Sequence, residues 1–359
     1  MDLASLIERF SRQVILKEIG VKGQLKLLKS KVVVIGCGAT GSTIAELLVR
    51  AGVGFIRIVD RDFVELSNLH RTHLFRESDS LEALPKSLAC KQRLGEISSL
   101  ANVEYVIDSV SADNITDLIA DADLVIDGTD NIETRFLINE ACIALKKPWV
   151  MVGVEGWYGM TKFIDAERGA CFRCMVGEGL GRRENVCDVI GVINVNVSLA
   201  ATIAATSALK FLLGLPVEGE LFVVDTLNLT IERIKIHKRP DCPACVRKQF
   251  SYLGKKDRRR VRFACGSNVI EVLPENPVEI DFSRLTNNNV FENVRIFDGK
   301  YAHIKMGEHE MLLLANGKAL IRGVRDLSKA EELYSTTLRE LEEKGVVVVQ
   351  QAWEYSQAR

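Results

Sequence analysis

The feature that most constrains this 359-residue chain is the run Lys31–Ile35 (KVVVI) leading directly into Gly36-Cys37-Gly38-Ala39-Thr40-Gly41. A continuous β-branched run is the pattern of a strand buried on both faces, as in a parallel sheet. The glycine spacing suits a strand–turn–helix unit. Gly36 permits the tight turn, Gly38 lets backbone N–H groups approach a phosphate, and Gly41 lets helix pack on strand. The helix expected from Ala39 to Ala51 then offers unpaired N–H donors and the positive end of its dipole. Alone, the motif says nucleotide and leaves an ordinary NAD-binding domain open.

The alternation continues downstream. Phe55 to Val59 is a second strand ending at Asp60, and Leu84 to Leu100 is a helix with Pro85 near its start. Val103 to Ile107, Leu124 to Ile126 and Trp149 to Val152 are strands, with a short helix near Asn114 to Ala120 and a longer one from Asn131 to Leu145. This pattern predicts an α/β, doubly wound, mostly parallel Rossmann-like sheet. After Gly153 the pattern shifts to antiparallel strands (Met160 to Asp165, Leu221 to Asp225, Thr230 to Ile236) around a helix from Ala200 to Leu213. The domain expectation is therefore a first unit over 1–253 with halves near 1–153 and 154–253, a charged linker at 254–262, and a small α+β domain at 263–359. That last domain has expected strands near Val269 to Val272, Val294 to Phe297 and Met311 to Ala315, and a helix from Ser328 to Lys344.

Lys plus Arg number 47 against 48 Asp plus Glu, a net charge of −1, which argues against a bulk nucleic-acid or membrane-surface binder. Polar residues interrupt the apolar stretch Val189 to Leu215, so a buried helix fits it better than a membrane span. A soluble cytoplasmic protein is expected, with no membrane or nucleic-acid partner. In that reducing compartment nine cysteines point to metal before disulfide. Cys171-Phe172-Arg173-Cys174 and Cys242-Pro243-Ala244-Cys245 are paired hooks, each spaced to place two thiolates on one tetrahedral Zn²⁺; together they complete a structural Cys₄ site, with a redox dithiol as the competing reading.

Three further segments separate phosphate chemistry from hydride transfer. Ser67-Asn68-Leu69-His70-Arg71 follows the second strand, Pro85-Lys86 opens a helix, and Thr129-Asp130-Asn131 follows Leu124 to Ile126. A hydride-transferring enzyme has no use for an arginine, a lysine and an aspartate converging on phosphate. Phosphoanhydride cleavage does, because charge builds on the α-phosphate and on departing pyrophosphate. Asp130 is the candidate Mg²⁺ ligand and Asp60 the acceptor for ribose hydroxyls.

The ordered set RFSRQ, GCGATG, VDRDFVELSNLHR, PK and DGTDN resembles the MoeB/ThiF/HesA family, over roughly residues 5 to 250. The resemblance implies ATP-dependent adenylation of the C-terminal glycine carboxylate of a ubiquitin-like or sulfur-carrier protein. It implies that Asp60 holds the ribose, that Asn68, Arg71 and Lys86 contact phosphates, that Asp130 binds Mg²⁺, and that Asn131 contacts the nucleotide. Arg12 matches an arginine that reaches into the neighbouring subunit's phosphate site, which implies a homodimer; spacing alone reads it as a surface arginine. Leu84, His70 and Thr72 depart from the family, which often has glutamine before the Pro-Lys pair and beside the loop arginine. Cys187, in the glycine- and charge-rich stretch Gly179 to Gly191, matches a cysteine implicated in capturing the activated carrier; Arg182 and Arg183 would favour its thiolate. Cys37, Cys90 and Cys142 read as packing residues, and Cys265 has no assigned role. The adenylate would go to a sulfurtransferase or, in the alternative reading, as a thioester to a conjugating enzyme. A small-molecule adenylating relative, a non-catalytic scaffold and an NAD-dependent oxidoreductase are the more distant alternatives.

Overall fold

The computed structural model describes residues 7–177, 191–254, 260–263, 269–276, 278–287 and 294–349. Cys187, Arg182, Arg183 and Cys265 lie outside the described residues. Two compact units divide the chain at Lys256 and Asp257.

The first unit is built on β1 (Lys31–Ile35), β2 (Phe55–Val59), β3 (Asn102–Val106), β4 (Leu124–Asp127), β5 (Trp149–Glu155), β6 (Tyr158–Ile164), β7 (Leu221–Asp225) and β8 (Thr230–Ile234). Their order in the sheet is β3-β2-β1-β4-β5-β6-β7-β8, parallel through β5 and antiparallel from there to β8. The doubly wound sheet continuing into antiparallel strands is the architecture expected. Alternation along β1 explains the two covered faces. Val33 and Ile35 pack with Val125, Met151 and the helix Ile132–Ala144, whereas Val34 lies against Gly41 of the helix Ala39–Ala51.

The helix expected from Ala200 begins at Asn194 and runs to Leu213. Its early polar residues read as interruptions, yet Asn196 is buried and its Nδ2 donates to the carbonyls of Gly156 and Tyr158, pinning the first turn to the β5–β6 hairpin. By length and composition this helix would pass for a membrane span. Half of its apolar window is buried, and it packs on β5, β6 and the helix Ala39–Ala51, as expected of a core helix.

The chain leaves β1 toward β2 and β3, then crosses back to β4 on the other side. The carboxyl ends of β1 and β4 therefore bracket a topological switch point, where a crevice opens in sheets of this kind.

In the second unit, β9 (Val261–Phe263), β10 (Ile270–Val272), β12 (Val294–Phe297), β13 (Tyr301–Met306), β14 (His309–Leu314) and β15 (Ala319–Arg322) form an antiparallel sheet ordered β12-β13-β14-β15-β10-β9. β11 (Val278–Ile280) pairs with β16 (Val347–Val349). The helix Leu327–Glu343 buries Ala330, Tyr334 and Leu341 among Ile270, Val272, Met311, Leu313 and Ile321. Sequence reading found only three of these strands. β9, β11 and β16 are three residues each, too short to show a period.

Candidate active site

The glycine loop is held by close backbone packing. Gly36 has φ +81°, and a methyl there would lie 2.9 Å from the Gly128 carbonyl oxygen. A methyl on Gly41 or on Gly128 would collide with the Gly36 carbonyl oxygen. A methyl on Gly38 would meet nothing within 4 Å, so the second glycine presents an open backbone at the start of the helix. Gly128, within the DGTDN motif, is as sterically committed as the two outer glycines of the loop.

Asp60 ends β2 and ties this loop to the next. Its Oδ2 accepts from Cys37 N (2.8 Å) and its Oδ1 from Asp62 N (2.8 Å). Burial raises its pKa, against the opposing charge of Lys86. Lys86 is the first residue of the helix Lys86–Ile97, with Pro85 as its cap. Its backbone N donates to Asp62 O (2.7 Å), and its Nζ lies 3.4 Å from Asp62 Oδ2. Asp62 is an acidic partner that motif reading did not single out. Val64 N donates to Leu84 O (2.9 Å), so the segment leading to Asn68 and Arg71 is zipped onto the approach to Lys86.

Asn68 is buried in a 3₁₀ turn, where its Oδ1 accepts from Glu65 N (3.2 Å). Arg71 is half-buried, and its Nη1 donates to Ser67 O (2.6 Å). His73 reaches from the same loop to Ser198 Oγ (3.0 Å) on the long core helix.

On the other side of the crevice, Asp127 is fully buried at the end of β4. Its Oδ1 accepts from Thr129 N (2.9 Å) and Oγ1 (2.6 Å), and its Oδ2 from Arg135 Nε (2.9 Å). Burial raises the Asp127 pKa; Arg135 and Thr129 oppose that shift. Asp130 then projects as an exposed side chain. Asn131 caps the helix Ile132–Ala144, its Oδ1 accepting from Thr134 N (2.9 Å). The contacts thus join the glycine loop, Asp60, Asp62, Lys86 and the Gly128–Asp130 turn; Asn68 and Arg71 stand on a neighbouring turn. Two cavities of about 290 and 410 Å³ elsewhere in this unit include none of these residues.

Arg12 is exposed on the short helix Ser11–Val14 while its neighbours are clamped. Phe10 is buried, Arg9 Nη2 donates to Ile97 O (2.8 Å), and Gln13 Nε2 donates to Gln24 Oε1 (2.7 Å) and Ala51 O (2.8 Å). Among the described residues, no hydrogen bond or ion pair joins Arg12 to Asp60, Asn68, Arg71, Lys86 or Asp130.

The two cysteine hooks meet. Sγ separations are 3.8 Å for Cys171–Cys174, 3.7 Å for Cys171–Cys242 and 3.6 Å for Cys174–Cys245, and all four sulfurs lie within 4.8 Å of one another. A tetrahedral Zn²⁺ with Zn–S bonds of about 2.3 Å requires sulfur–sulfur edges of about 3.8 Å. The donor set fits that ion. Helix Ile132–Ala144 connects this knot to the Asp130 turn: Asn139 Oδ1 accepts from Phe172 N (2.9 Å), and Glu140 accepts from Tyr252 N (2.7 Å) and Leu253 N (2.8 Å). Cys37, Cys90 and Cys142 are buried free thiols, in keeping with packing roles.

The sequence matches the ThiF family over residues 10–244. The chain belongs to the ThiF family. Among curated relatives, the sulfur carrier protein ThiS adenylyltransferase of Bacillus subtilis is 33% identical over 329 residues, covering 91% of this chain and 98% of that protein. The sulfur carrier protein adenylyltransferase of Thermus thermophilus is 34% identical over 248 residues, covering 67% and 90%. The SAMP-activating enzyme E1 of Haloferax volcanii is 33% identical over 246 residues, covering 67% and 90%. The fold is also that of E. coli MccB crystallised with MccA-N7isoASN, at TM-score 0.60 and 20% identity, covering 67% of this chain and 74% of that one. The Bacillus match runs well beyond residue 244, so the similarity extends into the second unit of this ThiF-family chain.

Proposed function

We propose that this ThiF-family chain uses ATP to adenylate the C-terminal glycine carboxylate of a ubiquitin-like sulfur carrier. The observation that carries the reading is the pairing of the Gly36–Gly41 loop with the Gly128–Asp130 turn across the β1/β4 switch point, flanked by Asp60 and Lys86. One backbone cradle and charges of both signs then stand at the carboxyl ends of β1, β2 and β4.

The carrier's carboxylate oxygen attacks the α-phosphorus of ATP. The bond from that phosphorus to the α–β bridging oxygen breaks, and pyrophosphate leaves with the electron pair. The nucleophile is already ionised at pH 7, so no general base is needed, and catalysis rests on positioning and charge stabilisation. Asp60 holds the ribose, Asn68, Arg71 and Lys86 hold phosphate oxygens, and Asn131 contacts the nucleotide. Asp130 would hold Mg²⁺, which supplies charge neutralisation at the phosphates. Arg12, held outward by its clamped neighbours, serves the site of a second copy in a homodimer. The four hook cysteines would hold a structural Zn²⁺. The Cys187 thiolate attacks the acyl carbon of the adenylate and AMP leaves with the electron pair of the broken C–O bond, giving a thioester before sulfur transfer or conjugation, in the cytoplasm.

Two measurements test the reading: calorimetric titration with ATP·Mg²⁺ against NAD, and pyrophosphate–ATP exchange in the presence of ThiS, the carrier named by the Bacillus relative. Binding of ATP and ThiS-dependent exchange are expected. Binding of NAD without exchange would overturn it.

A further inference from the structure

Arg135 is not among the residues that motif reading selects, yet it is the most firmly held cation beside the Asp130 turn. Its Nε donates to Asp127 Oδ2 (2.9 Å), and its Nη2 to Thr129 O (2.5 Å) and Val152 O (2.7 Å). β4 makes its last pairing with β5 at Asp127 and Met151, so Arg135 binds β5 one residue beyond the end of that ladder. Nη1 has no protein acceptor among the described residues, and the side chain keeps 15% of its surface exposed.

Gly153 lies next to that nitrogen. A methyl on Gly153 would sit 3.4 Å from Arg135 Nη1 and 3.3 Å from Met160 Cγ. Gly153 pairs with Met160 across the β5–β6 ladder, and Tyr158 follows two residues along on the same face. Met160 and Tyr158 are 41% and 55% exposed. A lane therefore runs from Tyr158, whose cross-strand neighbours are Glu155 and Asp225, over Met160 and Gly153 to Arg135, whose Nη2 is bonded to Thr129, the residue before Asp130. Asp127 neutralises Arg135 from beneath, so Nη1 is suited to a neutral carbonyl oxygen more than to a free anion.

The geometry points to Arg135 as a positioning residue for the carrier's C-terminal tail: Nη1 donates to a backbone carbonyl of the tail as it crosses Gly153 toward Asp130. This rests on the function proposed above. A side chain on the tail residue above Gly153 would press on Met160 and Arg135, so the lane takes glycine.

The test is ThiS-dependent pyrophosphate–ATP exchange with the full chain and its Gly153→Ala and Arg135→Lys variants, reading KM for ThiS and for ATP separately. Arg135→Lys retains a charge for Asp127 and loses the Nη1 donor; Gly153→Ala retains every Arg135 hydrogen bond and narrows the lane. Both are expected to raise KM for ThiS about tenfold, the loss of one contact of this kind, and to leave KM for ATP within about twofold. A ThiS KM at the wild-type value in Gly153→Ala overturns the inference even if Arg135→Lys does not fold, while wild-type exchange keeps the functional reading intact. Absence of ThiS-dependent exchange in the wild type overturns both.

Discussion

Gly36 and Gly128 pack backbone against backbone, so that the loop after β1 and the turn after β4 are fixed to each other with no side chain between them. Gly128 N also donates to Ile35 O (2.8 Å). One glycine belongs to the nucleotide-binding motif and the other to the turn that presents Asp130.

Gly128→Ala therefore forces the two loops apart. It is expected to cost about 1–3 kcal/mol in denaturant unfolding, the range for overpacking a close-packed site. ATP affinity is expected to fall with it. Wild-type values for both would show that the contact does not hold the crevice together.

Asp60 ties stability to pH with a definite sign. Burial raises its folded pKa above the ordinary value of 3.8, so the folded state holds this proton more readily than the unfolded state. Its contribution is full below that value and is lost as the pH rises through the folded pKa. Asp60→Asn removes this dependence. The stability of the wild type relative to Asp60→Asn should decline as the pH rises above the ordinary value of 3.8 and then level off. A difference that grows with pH would contradict it.

Much of this was legible before any coordinates. The apolar run at β1, the glycine loop and the paired hooks announce themselves, because backbone geometry and metal spacing need particular residues at short separations. Asp127, Arg135, Glu140 and Gln24 were not legible. Their partners lie on other elements, as Gln24 bonds to Ala51 and Glu140 to residues 251–253, and no local period marks a side chain whose purpose is to satisfy a distant backbone group. Asn131 has a second duty that motif position does not mark: its side-chain oxygen caps the helix Ile132–Ala144.

The cysteine knot should behave as one unit. Cys245→Ser is expected to drop zinc content from about one ion per chain to below half, and to lower Tm by about 10 °C. Because Asn139 and Glu140 join the knot to the helix that starts beside Asp130, ATP affinity should weaken as well. Full zinc content with an unchanged Tm would refute the four-sulfur site.

Arg12 offers a complementation experiment. Arg12→Ala and Asp130→Ala are each expected to be inactive in exchange, by about 10²-fold or more. Mixed after subunit exchange, they should recover up to about a quarter of wild-type activity through hybrid dimers with one intact site. No recovery, in a mixture shown to contain hybrids, would place Arg12 outside the partner's site.

The most direct measurement is the intact mass of ThiS after brief incubation with this chain, ATP and Mg²⁺. An added adenylyl group on the carrier, formed with the wild type and absent with Asp130→Ala and Lys86→Ala, is the expected result. Unmodified ThiS with the wild type, or an adduct that forms equally well in both variants, would contradict the account.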